Sequence, residues 1–248
     1  MKVSLASATP LLAALLWVVA LLVDPGPFAP WPVLLIGLGL LETACVSVVG
    51  MIMTGGRWAR RTALAVVVAT LGVAAARPLD ALWVIALAAT TLAAVSMFTG
   101  SVIRSTRKLP AAFGPPERAV LIPLLLLGFP TLLGFAAWDE QMASTLAVGL
   151  TAPIAAIWYS RVLPGGLLAI RILWPTLAIG LAAFQGPAPG VTSLVVGALV
   201  AVLAWHPSVK VAFHPPREKG TTYAIPPELA PREVLDAARL DEKGRPRG

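Results

Sequence analysis

Two ionisable side chains stand inside apolar runs, where a chain has no routine use for charge: Glu42 in LLETACVSVVG and Arg171 in LLAIRILWP. A charge at the centre of a membrane span costs about 2.5–3.5 kcal/mol on insertion scales, so such residues usually face a bundle interior or an aqueous cavity. Glu42 lies eleven residues from either end of its run and is too short to reach water. A protonatable carboxyl at that depth is what proton-coupled transport requires, and it is equally suited to an interhelix hydrogen bond. Arg171 lies five residues inside its run, roughly 8 Å at about 1.5 Å rise per residue. From there it can snorkel to the interface along its aliphatic stem, pair with Glu42, or bind an anionic group through its planar guanidinium.

Thr43 and Ser47 join Glu42 as candidate substrate- or proton-binding residues. With Gly39 and Gly50 they form a small-residue stripe that lets helices approach closely. A second group, Arg57, Arg60, Arg61, Arg104, Arg107 and Lys108, falls between apolar runs and is suited to lipid head groups or phosphate. No HExxH, CxxC, phosphate-binding glycine loop or GxSxG elbow is present, so no catalytic residue is assigned. His206 and His214 are too few for a metal site, and the single Cys45 excludes an intrachain disulfide. No metal and no cofactor are expected.

These residues must be positioned by helices in lipid. The chain of 248 residues is 58% hydrophobic and 12% charged, against about 25% charged in soluble domains. Apolar runs at 3–23, 31–53, 62–76, 81–103, 119–138, 142–160, 166–184 and 190–206 predict an all-α, polytopic membrane protein of about eight transmembrane helices. The third run is the shortest. The first is read as a span, because no small-x-small site precedes a cut and proline follows Ala29.

Charge fixes the orientation. With Lys2 inside, the inner loops carry Arg57, Arg60, Arg61, Arg104, Arg107, Lys108, Arg118 and Arg161. The outer loops carry one basic residue, Arg77, beside Asp24, Asp80, Asp139 and Glu140. The positive-inside rule then places both termini in the cytoplasm, in a membrane of the bacterial cytoplasmic type. Trp31, Trp83 and Trp138 fall at outer boundaries and Trp58, Trp158 and Trp205 at inner ones; Trp17 and Trp174 lie deeper and are expected to pack. The net charge of +7 is topology held against anionic lipid, with no nucleic-acid partner implied.

The basic loop 104–118 divides residues 1–206 into four-helix halves, 1–103 and 119–206, with a faint similarity between 63–76 and 169–183. Residues 207–248 form a polar cytoplasmic tail in which 231–241 can make one short helix, with Pro231 in its first turn and a narrow apolar face for a protein partner. Pro123, Pro130, Pro153 and Pro175 are expected to interrupt helices five, six and seven. The pattern points first to a small transporter or permease for a small or lipid-like solute. Next comes a non-catalytic subunit or scaffold of a membrane complex, and third a lipid-modifying enzyme gripping phosphate with its basic loops.

Overall fold

A computed structural model describes residues 5–53, 57–75, 80–106, 117–138, 143–161, 163–207 and 209. All regular elements among them are helices: a 3-10 turn Leu5–Ala8, then α1 (Thr9–Val23), α2 (Pro30–Met53), α3 (Arg57–Ala75), α4 (Ala81–Met97), α5 (Gly100–Ser105), α6 (Glu117–Ala137) and α7 (Ala143–Ser160). A composite rod follows, α8 (Gly166–Leu168), a π-helical turn Ala169–Leu173 and α9 (Trp174–Ala182), before α10 (Pro187–Ala204). The tail helix expected at 231–241 lies outside the described residues, as do Arg107, Lys108 and His214.

Six apolar helices, Ala6–Val23, Pro30–Ile52, Trp58–Ala75, Ala119–Ala137, Ala143–Ser160 and Pro187–Ala204, are long enough to cross a membrane. Two more apolar rods, Ala81–Met97 and Gly166–Ala182, are shorter. The outward surface is apolar as lipid demands, with Leu22, Phe184 and Val202 each at least 70% exposed.

Several expectations need correction. The third helix begins at Arg57, five residues before the apolar run, because arginine is a good helix former. Arg57, Arg60 and Arg61 therefore belong to a helix and not to a loop. The fourth run breaks after Met97: Phe98 leaves helical geometry, Thr99 is extended, and α5 starts at Gly100. Pro123, Pro130 and Pro153 each remove one backbone hydrogen bond but do not end their helices, since α6 and α7 continue past them. Pro175 does act. It has no N–H for the Arg171 carbonyl, and just before it the helix widens, with Trp174 N–H donating to Ala169 O five residues back.

Two cores hold the bundle. One joins α1, α2, α3 and α4 around Trp17 and Trp83, stacked edge to face at 5.1 Å. There Trp17 Nε1 donates to Thr90 Oγ1 at 2.7 Å, and Thr90 Oγ1 in turn donates to Thr70 Oγ1 at 3.3 Å, linking α1, α4 and α3. The other joins α6, α7, α9 and α10, with Phe129 on Trp174 at 5.3 Å. Trp17 and Trp174 are packing residues, as their depth implied. Trp83, expected at a boundary, is fully buried. We expect Trp17→Phe to cost about 1–3 kcal/mol, because it leaves the buried threonine pair short of a donor; thermal unfolding in nanodiscs reads this.

Helix α2 couples the halves. Its Leu35 belongs to the second core and its Ile36 and Leu40 to the first. A Cβ on Gly39 would lie 2.6 Å from the Thr131 backbone nitrogen, and one on Gly134 2.8 Å from the Pro32 carbonyl. Backbones of α2 and α6 touch there, which only glycine permits. At the far end, Ala29 N–H donates to Trp138 O at 3.1 Å, and Phe28 packs on Phe135 and Trp138.

Candidate functional site

Helices α3 and α6 both pack closely on α2 but scarcely on each other. The wedge between them is a cavity of about 500 Å³, within the roughly 300–1,000 Å³ of small-molecule sites. Gly39, Leu40 and Thr43 make its floor. Trp58, Arg61, Thr62, Ala65, Val66 and Ala69 form one wall, and α6 from Val120 to Leu132 the other. Arg61 and Val120 stand at the same end, near the starts of their helices. Ala69 and Leu132 mark the deep end.

The polar groups of this cavity are few and mostly engaged. Thr43 Oγ1 donates to Gly39 O at 2.6 Å and Thr62 Oγ1 to Trp58 O at 2.9 Å. Thr131 Oγ1 reaches Ile36 O at 3.4 Å. Among the described residues, that leaves the exposed Arg61 as the cation at the mouth. One turn beyond the deep end, the Phe135 ring lies against Gly72 of α3, where a Cβ would meet it at 3.3 Å.

Glu42 is placed nearby but does not line the cavity. It shares a helical face with Leu35 at i−7 and Val46 at i+4, which meet the second core. Cys45 and Val49, at i+3 and i+7, are exposed. Glu42 is half-buried, and its Oε2 is buried with no hydrogen-bond partner among the described residues. Thr43 and Ser47 do not supply one: Ser47 Oγ donates to Ala44 O at 2.8 Å.

Arg171 is engaged elsewhere. Its Nε donates to Ala204 O at 2.9 Å, and its guanidinium carbon lies 4.9 Å from the Trp205 ring centre. The side chain reaches the C-terminal end of α10, where free carbonyls and the negative end of the helix dipole favour a cation. Glu42 and Arg171 do not meet, and Arg171 does not line the cavity. Replacing Arg171 by leucine should destabilise the protein by about 1–2 kcal/mol through loss of a charge-assisted hydrogen bond and a cation–π contact. Lysine should recover only part of this in the same unfolding measurement.

The basic group divides. Arg61 lines the cavity, while Arg60 turns the other way, 5.9 Å from the Phe98 ring centre. Arg57 begins α3 and Arg104 lies in α5, whereas Arg107 and Lys108 are outside the described residues. Among the described residues no His, Cys, Asp or Glu cluster could hold a metal. Sequence reading missed Trp58, Leu124, Gly128, Thr131 and Phe135. Their only signal was Arg61 at the start of an apolar run. In comparisons with known proteins, no family model, no curated protein and no solved structure matches this chain.

Proposed function

We propose that this protein is a small transporter for a lipid-like solute, bound in the cavity between α2, α3 and α6. In this reading the six long helices and two shorter rods all cross the membrane, eight spans in all. Both termini are cytoplasmic, and the membrane is the bacterial cytoplasmic one. The observation that carries the reading is the cavity itself: largely apolar, set between α2, α3 and α6, with Arg61 at one end and the Phe135 ring packed on Gly72 one turn beyond the other. A solute site where two halves can rock against each other is the arrangement alternating access uses. A site open between helices admits a solute from lipid. Glu42, one helical step from the cavity floor, is the candidate proton carrier.

The test is movement of a fluorescent, head-group-labelled lipid in proteoliposomes, read by bleaching with an impermeant reductant, with and without an imposed proton gradient. Protein-dependent bleaching beyond the outer-leaflet fraction, abolished by Leu124→Trp, supports the reading. Rates equal to protein-free vesicles under both conditions would end it. In this reading the Phe135 ring is the barrier beyond the deep end, so Phe135→Ala should speed movement several-fold; an unchanged rate would show that the ring blocks nothing.

A further inference from the structure

We infer that the ligand of this cavity is one anionic lipid, its acyl chain lying between α3 and α6 and its charged head on Arg61. The inference rests on reading the cavity as the solute site, and names the class of solute. The first argument is depth. From Val120 to Leu132 the α6 wall rises twelve residue steps, about 18 Å of helix. One leaflet of a hydrocarbon core of about 30 Å is about 15 Å deep. The cavity therefore matches one leaflet, and the Phe135 ring packed on Gly72 lies one turn beyond its deep end.

The second argument is the distribution of polarity. Along the walls, Leu, Val, Ala and Gly offer nothing to a polar group, the hydroxyls of Thr43, Thr62 and Thr131 give their protons to backbone carbonyls, and the Trp58 indole lies one turn from Arg61 at the same end. A sugar, an amino acid or a free phosphate would be desolvated along that length without partners. An acyl chain loses nothing. The polar part of the ligand must then sit at the mouth, where Arg61 presents a guanidinium suited to phosphate or carboxylate. A cationic head would be repelled. Arg60, one residue away, faces Phe98 outside the cavity, so the two neighbouring arginines differ in role although they add equally to surface charge.

That difference makes the test specific. The purified full-length protein, stripped of lipid, is titrated with phosphatidylglycerol, with phosphatidylcholine of the same chains, and with glycerol phosphate, and binding is counted by native mass spectrometry. We expect phosphatidylglycerol to bind in preference to phosphatidylcholine, and glycerol phosphate alone not to bind. Arg61→Gln should weaken phosphatidylglycerol binding by about five- to tenfold, the effect of one interfacial cation. Arg60→Gln should leave it unchanged, and Leu124→Trp, which fills the cavity, should remove it. Equal losses in Arg60→Gln and Arg61→Gln would reduce the effect to general surface charge and overturn the inference. So would binding of glycerol phosphate alone, equal binding of the two lipids, or full binding in Leu124→Trp. Tight, Arg61-dependent binding without lipid movement would sink the transport reading and leave the site intact. Lipid movement indifferent to Arg61 would do the reverse.

Discussion

Gly39→Leu should give a protein that fails to assemble or unfolds with at least the upper part of the roughly 1–3 kcal/mol typical of overpacking. Even the first carbon of a side chain has nowhere to go: it meets Thr131 Oγ1 and lies 2.6 Å from the Thr131 backbone nitrogen. A side chain can rotate away, but a backbone nitrogen in a continuous helix cannot. Gly39→Ala should therefore also destabilise, and adding Thr131→Ala should not rescue it. Gly180→Leu is the control, since nothing lies within 4 Å of the position a Cβ would take there; it should be neutral. The measurement is thermal unfolding in nanodiscs, with gel filtration to detect misassembly. A stable, monodisperse Gly39→Leu would mean that α2 and α6 do not touch at this seam. The cavity beside it, whose floor includes Gly39, would then be wrongly drawn.

The elements that make this seam were legible in the sequence because partition into lipid is local. A run of apolar residues declares itself without knowledge of its neighbours, and the ends of α2, α6 and α10 fall within a few residues of the runs that predicted them. Direction is less local. Trp17 and Trp83 are both fully buried against one another, yet only Trp17 was read so, because Trp83 opens its helix and the sequence does not say what covers it. Prolines misled for a related reason. In α6 and α7 the helix continues past Pro123, Pro130 and Pro153. Only Pro175 sits beside a widened turn, and that turn carries Arg171.

The candidate site was less legible still. For Arg171 the sequence left three uses open, snorkelling to an interface, pairing with Glu42 or binding an anion. Its partner, the Ala204 carbonyl 33 residues away, is a property of how two rods cross. Most of the cavity lining is Leu, Val, Ala and Gly, the residues that elsewhere in the same helices fill cores. What makes them a cavity is the gap between α3 and α6, and a gap has no residue type. Arg61 could be seen and its role could not.

Glu42→Leu should produce a more stable protein that has lost coupled transport. The carboxylate oxygen Oε2 is buried with no partner among the described residues, and leaving a buried polar group unmade costs about 1–3 kcal/mol. Leucine fills similar space on the face shared with Leu35 and Val46 without that cost, so the unfolding free energy should rise by about the same amount. A fold that improves when a residue is removed does not retain that residue for stability, and locally unfavourable choices of this kind concentrate at functional positions. Glu42→Gln separates the alternatives. It keeps an acceptor and adds a donor but cannot exchange a proton, so gradient-dependent lipid movement should vanish in both variants while Arg61-dependent binding persists in both. A Leu variant less stable than wild type, with Gln restoring it, would instead assign Glu42 to an interhelix hydrogen bond. The proton would then have to enter this bundle by some other group, and no second carboxyl stands mid-span in the sequence to take its place.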